Sequence, residues 1–183
     1  MSARDTILDA FENLLVEDGE RAATLDAVAA RATVSKGGLL YHFKSKDALV
    51  EGLLDRLTQL AAADADAMRA DPRGPSAYYV DTSVWAGSAL DHALVATARL
   101  VQEAPHARET MLAVHRAWYS LILDEVGDRA VARAIMLIGD GLYYNAVLTG
   151  ESTSDDAAGT ESQDRAELME VVALLKAQAA SRG

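Results

Sequence analysis

The sequence predicts an all-α chain: an N-terminal three-helix domain of helix-turn-helix form, joined by a long helix to a helical C-terminal domain, about nine helices in all. Three observations carry this. Apolar residues recur three and four apart through most of the 183 residues, the spacing of one helix face. Only 3 prolines and 5% aromatic residues, among abundant Ala and Leu, leave little material for strands. Between Thr24 and Leu49 two short helical patterns meet at a tight turn, and the second is rich in Ser, Lys, Gly, Tyr and His where a core helix would carry apolar residues.

The elements follow in order. Helix one covers Ala3–Asp18, with Ile7, Leu8, Phe11, Leu14 and Leu15 on one face and Gly19 as its stop. Thr24 caps a short helix carrying Asp26 in its first turn and Leu25, Val28, Ala29 and Ala32 at helical spacing. Thr33-Val34 breaks that pattern, and Ser35 caps a helix that runs to about His42. Leu39 and Phe43, four apart, are placed to pack on Val28 and Ala29. Ser45 caps a long helix, Lys46–Ala70, with Leu49, Leu53, Leu57 and Leu60 in line, which Asp71-Pro72-Arg73-Gly74-Pro75 terminates. One helix or a pair continues through Glu103, broken at Gly87-Ser88; others cover about His106–Val126 and Arg129–Thr149. Gly150–Thr160 reads as a surface loop before a last helix at about Glu161–Ala180. The expected division is 1–49 for the helix-turn-helix domain and 50–183 for a second, helical domain.

Charge singles out the same window. The chain has 17 basic and 28 acidic side chains, a formal net of −11, which disfavours a general nucleic-acid or anionic-membrane binder. Yet Arg31 to Lys46 holds Arg31, Lys36, Lys44, Lys46 and His42 and no acid. Lys36, Gly37, Leu40, Tyr41 and His42 lie off the packing side of their helix. Adjacent Gly37-Gly38 weakens a short helix by about 1 kcal/mol per residue, which close approach to a phosphate backbone would explain. Lys46 has the wrong sign for the first turn of its helix, so phosphate contact is the reason sought for it.

The run Val34-Ser35-Lys36-Gly37-Gly38-Leu39-Leu40-Tyr41-His42-Phe43-Lys44-Ser45-Lys46-Asp47-Ala48-Leu49 resembles the DNA-binding signature of the TetR (tetracycline-repressor-like) transcriptional regulators, over roughly residues 4 to 50. The resemblance implies a homodimeric repressor bound to a double-stranded palindromic operator and released by a small-molecule effector. By position it implies DNA contacts from Thr24, Ser35, Lys36, Gly38, Tyr41, His42 and Lys46. Thr33 stands where the family usually has Gly, so that backbone position must accept a Cβ. Gly38 and Leu40 replace the more usual Thr and Tyr, which removes possible contacts, and no operator sequence carries over.

The penultimate helix is apolar nearly all round: Ile135, Ile138, Leu142, Asn145 and Leu148 form one stripe, Met136, Leu137, Tyr144 and Val147 another. Such a helix is buried on two sides. Ile135, Ile138, Leu142 and Asn145, with Leu168, Val172 and Leu175 of the last helix, are the residues expected to pair with a second copy as a four-helix bundle. The plainer reading is a core helix with no dimer. Asp140, among apolar neighbours, needs a partner, from Arg133, His92, His115 or Arg116 or from a cationic or hydrogen-bonding ligand. Trp85, Met111, His115, Trp118, Tyr119 and Tyr144 are the large side chains able to shape a pocket with it, or simply to fill a core.

Enzymatic readings find no support: no Cys, no phosphate-binding glycine loop, and His106 and His115 nine apart, off metal-ligand spacing. No catalytic residue, metal or cofactor is expected. The amphipathic start and the lack of a spanning apolar run predict a cytoplasmic chain without signal peptide or membrane partner. Two further functions stay open: a DNA-binding dimer without a small-molecule effector, and a helical carrier or enzyme with a vestigial helix-turn-helix.

Overall fold

The computed structural model describes residues 2–149 and 155–181. Among the described residues all regular structure is helical: α1 (Ala3–Asp18), α2 (Leu25–Arg31), α3 (Lys36–His42), α4 (Lys46–Ala70), α5 (Pro75–Thr82), α6 (Ala89–Leu100), α7 (Pro105–Val126), α8 (Arg129–Thr149) and α9 (Asp155–Ala180). The chain forms two compact units, Met1–Ala62 with Gly87–Val114, and Ala63–Ala86 with His115–Gly183. No helix of the described residues is long and apolar enough to cross a membrane.

The first unit is built on α1. Ser2 opens it with a reciprocal cap, its hydroxyl accepting from the Asp5 amide while the Asp5 carboxylate accepts from the Ser2 amide. Ile7, Leu8, Phe11 and Leu15 are enclosed with Val28 of α2, Leu39 of α3 and Leu49, Leu53 and Leu57 of α4. α6 packs on α1, and its Ala93 and Ala96 are fully buried.

Arg56 of α4 reaches α1 and donates to Asp9 at 2.6 Å and Glu12 at 2.8 Å. Burial nevertheless pushes the Glu12 carboxyl from its ordinary 4.5 up to about 6, with the Arg56 charge opposing the rise. The folded state therefore holds this proton more tightly than the unfolded chain. The stability it contributes is complete below pH 4.5 and is lost as pH rises through about 6. The loss is about 2 kcal/mol. Glu12→Gln removes this titration, so the stability difference between variant and parent, measured by denaturant unfolding, should vary across that window and level off above it.

In the second unit, Pro75 starts α5 and the Glu125 carboxylate of α7 caps it, accepting from the Ser76 amide at 2.7 Å and hydroxyl at 2.6 Å. Lys176 of α9 pairs with the same carboxylate. Burial raises the Glu125 pKa, but the Lys176 and Ser76 hydrogen bonds outweigh it and hold the carboxyl below its ordinary value. The rotation of α8 is set where it meets α5: a Cβ on Gly139 would lie 2.5 Å from the Tyr79 ring and 2.8 Å from the Ser83 hydroxyl. Glycine alone permits that approach, and it directs Ile135, Met136 and Gly139 inward.

That rotation encloses part of the expected dimer stripe within the single chain. Ile135 and Val172 are enclosed within the single chain, and Ile138, Leu142, Leu168 and Leu175 are half-buried; of the set only Asn145 is exposed. The open side of α8 carries Leu137 (60% exposed), Tyr144 (66%) and Leu148 (69%), and α9, which packs on it, leaves Val171 and Leu174 (70%) open. At 100° per residue this face is turned about 120° from the centre of the expected stripe. Residues 155–160 of the expected loop Gly150–Thr160 are corrected: α9 begins at Asp155, earlier than the expected Glu161. Residues 150–154 lie outside the described part.

Candidate nucleic-acid interface

The helix-turn-helix is assembled by its caps. The Thr24 hydroxyl accepts from the Ala27 amide at 3.2 Å, that of Ser35 from Gly38 at 3.0 Å, and that of Ser45 from Ala48 at 3.1 Å. Between α2 and α3 the Thr33 amide bonds the Ala30 carbonyl and that of Val34 the Ala29 carbonyl. Thr33 has φ 57, a left-handed conformation that a β-branched residue occupies at a cost of about 1–2 kcal/mol. The turn keeps its shape without the usual glycine because both flanking helices are anchored: Val28 and Ala29 on one side, Leu39 and Phe43 on the other, are all buried.

What remains of α3 faces outward. Tyr41 is 83% exposed and Leu40 37%, and the Tyr41 and His42 rings meet edge-on at 5.2 Å. Lys36 and Gly37 are exposed and Gly38 half so. A Cβ on Gly37 would find only the Ser35 hydroxyl, at 4.0 Å, whereas one on Gly38 would lie 3.2 Å from that hydroxyl. Glycine at position 37 is therefore not required by packing within the chain. The cap hydroxyls of Thr24 and Ser35 are exposed and, while accepting from an amide, each retains a hydrogen to donate.

The electrostatics depart from the linear reading. Lys36 pairs with Asp26 at 2.9 Å, Arg31 with Glu17 at 2.6 Å, and Lys46 with Glu20 at 2.5 Å. The acid-free window is thus bordered in space by carboxylates from α2 and from the end of α1 and its loop. Lys44 has no ion-pair partner among the described residues and is exposed. Charge spacing along the chain carried no sign of these pairs, which join residues 10 to 26 apart in sequence.

The second unit brings together some of the expected pocket residues. Asp140 accepts from the Tyr79 hydroxyl at 2.6 Å, with His115 Nδ1 at 4.0 Å. Trp118 packs against both Tyr79 and His115, ring centroids 5.9 and 5.7 Å away. Burial, and then the Asp140 charge, raises the Tyr79 pKa well above the ordinary tyrosine value. Tyr79 was not among the residues picked out from the sequence, where it reads as one more apolar-face position of a short helix. Tyr119 is turned elsewhere, its hydroxyl toward the Arg129 carbonyl and its ring 4.6 Å from the Arg133 guanidinium. Tyr144 is on the open face of α8, Trp85 is half-buried after α5, and Met111 is half-buried on the part of α7 that belongs to the first unit. A hollow of about 270 Å³ lies away from this group, lined by Arg73, Ala77, Met169, Val172, Ala173 and Lys176.

Residues 7–53 match the family model described as bacterial regulatory proteins, tetR family. Over 180 residues, 91% of this chain and 92% of the relative, the sequence is 26% identical to the HTH-type transcriptional regulator BetI of Paraburkholderia phytofirmans. Among solved structures, a putative TetR-family transcriptional regulator from Rhodococcus sp. aligns over 95% of this chain and 98% of its own with TM-score 0.71 and 19% identity. The multidrug binding protein EbrR, in complex with malachite green, aligns over 94% and 96% with TM-score 0.69 and 21% identity. At these identities the structural matches speak for the fold.

Proposed function

We propose that this chain, whose residues 7–53 match the model of the bacterial tetR regulators, is a ligand-responsive repressor of that family that binds a palindromic operator as a homodimer and is released by a small molecule. The observation that carries the DNA-binding part is the outward face of α3, where an aromatic ring, an exposed leucine and a packing-free glycine serve no purpose inside the chain. Residues 1–49 form the DNA-binding domain in this reading. Gly37 and Gly38 let the backbone approach a phosphate, Thr24, Ser35, Lys36 and Lys46 contact phosphates, and Leu40, Tyr41 and His42 meet the groove.

Residues 50–183 take the effector and the second copy. The open apolar face of α8 and α9 supports dimerisation, since single soluble chains rarely leave several large apolar side chains uncovered together. A two-fold pair sets two α3 helices about 34 Å apart, one turn of DNA. Effector recognition is assigned to Asp140, His115 and Trp118 with Tyr79, a carboxylate against aromatic rings; EbrR, with malachite green bound, is a fold relative that supports a ligand role. We assign no catalytic activity and place the protein in the cytoplasm. One observation favours the alternative of a DNA-binding dimer without an effector: Asp140 already has its partner in Tyr79.

Selection of duplexes from a random pool tests the reading. The expected product is an inverted repeat with half-sites one helical turn apart, followed by a compound in a small-molecule panel that releases the protein from it. An enriched duplex without two-fold symmetry would overturn the dimeric repressor, and a palindrome that no compound releases would favour the effector-free regulator.

A further inference from the structure

We propose that Glu20 competes with DNA phosphate for Lys46, holding the affinity of the chain for duplex DNA below what its lysines alone would give. The inference rests on Lys46 being a phosphate contact, as assigned above. The Lys46 ammonium donates to two acceptors of one residue, the Glu20 carboxylate at 2.5 Å and the Glu20 carbonyl at 3.1 Å. That carbonyl also accepts the Ala23 amide, so it belongs to an ordered turn between α1 and α2. Both side chains are about one-third exposed, 33% for Lys46 and 29% for Glu20, so the pair is screened less than an open surface pair. The Lys36–Asp26 pair, at 57% and 73% exposure, is the open counterpart.

Neither residue of the tighter pair belongs to the apolar core of its unit. Lys46 also sits in the first turn of α4, where the helix dipole opposes a cation, and Glu20 offsets that opposition. A phosphate approaching Lys46 must therefore displace two acceptors and tolerate the carboxylate it leaves behind. Such a restraint weakens complexes with and without base contacts by the same factor, so those without them are the first to fall below the affinity at which the protein stays bound. On a chain of net charge −11 it makes groove contacts, more than charge, decide where the protein stays.

Glu20→Gln keeps the shape and the backbone carbonyl and removes the charge. With the full-length protein, fluorescence anisotropy on the selected operator and on a scrambled duplex of equal length, over a salt series, reads the effect. Glu20→Gln is expected to tighten both duplexes by the same factor, about three- to tenfold at low salt, and Asp26→Asn about twofold. In a Lys46→Ala background the gain from Glu20→Gln should vanish. Affinity that is unchanged or weaker in Glu20→Gln overturns the proposal, as does a gain that persists without Lys46, which would be a general charge effect. Glu20→Ala repeats the comparison if the amide variant loses helical content. A parent protein that selects no duplex overturns the DNA-binding reading itself, and that outcome is seen before any Glu20 variant is made.

Discussion

Replacing Lys36 and Lys46 together by alanine lowers affinity for the selected operator about 100-fold or more at low salt and flattens the slope of log K against log salt by about four, two lysines in each of the two copies. Each lysine assigned to a phosphate releases about one condensed counterion when the complex forms, so removing both subtracts that release from the salt dependence. The ion pairs add a second contribution. With Lys36 gone, Asp26 faces the DNA unpaired, and with Lys46 gone, so does Glu20. Part of the loss is thus repulsion from carboxylates the lysines had neutralised, and that part shrinks as salt screens it. Helical content by circular dichroism should not change, because neither lysine is buried. Affinity and slope that both stay at parental values would show that the start of α3 and of α4 is not the DNA face.

The helix ends were legible because capping is local chemistry. Ser35 and Thr24 could be read as caps from residue type and spacing, and both hydroxyls accept the expected amides. The left-handed turn was not: the sequence asked only that position 33 accept a Cβ, and Thr33 does so at φ 57, in the region that favours glycine. The restraint on the lysines was not legible. Glu20 and Lys46 are separated by 26 positions, and only the turn that brings the loop after α1 beside the start of α4 makes them neighbours. Asp140 shows the same limit, since its need for a partner could be stated while its partner, Tyr79, lies 61 positions away on another helix. The phase of α8 was hidden for a different reason. A helix apolar nearly all round has no polar side to orient it toward water, and the decision falls to one glycine fitting against one tyrosine ring.

That phase leads to the other large expected effect. Leu148→Asp, on the open side of α8, should leave the chain folded and dissociate the proposed dimer, raising its dissociation constant about a thousandfold or more. Leu148 is 69% exposed in the single chain, so a carboxylate there meets water in the monomer and costs little folding stability. In a two-fold dimer the substitution acts twice: each copy loses about 1.5–3 kcal/mol of leucine burial and must also desolvate a charge. Sedimentation velocity checks the mass, and operator binding should weaken in step, because two half-sites one turn apart need two recognition helices held together. Ile135→Asp is the opposing case. Ile135 is fully buried within the chain, so its carboxylate should unfold the second unit and be seen as lost helical signal before any change in association is measurable. If Leu148→Asp remained dimeric while Ile135→Asp stayed folded and became monomeric, α8 would pair through Ile135, Ile138, Leu142 and Asn145 and not through the face carrying Leu137, Tyr144 and Leu148.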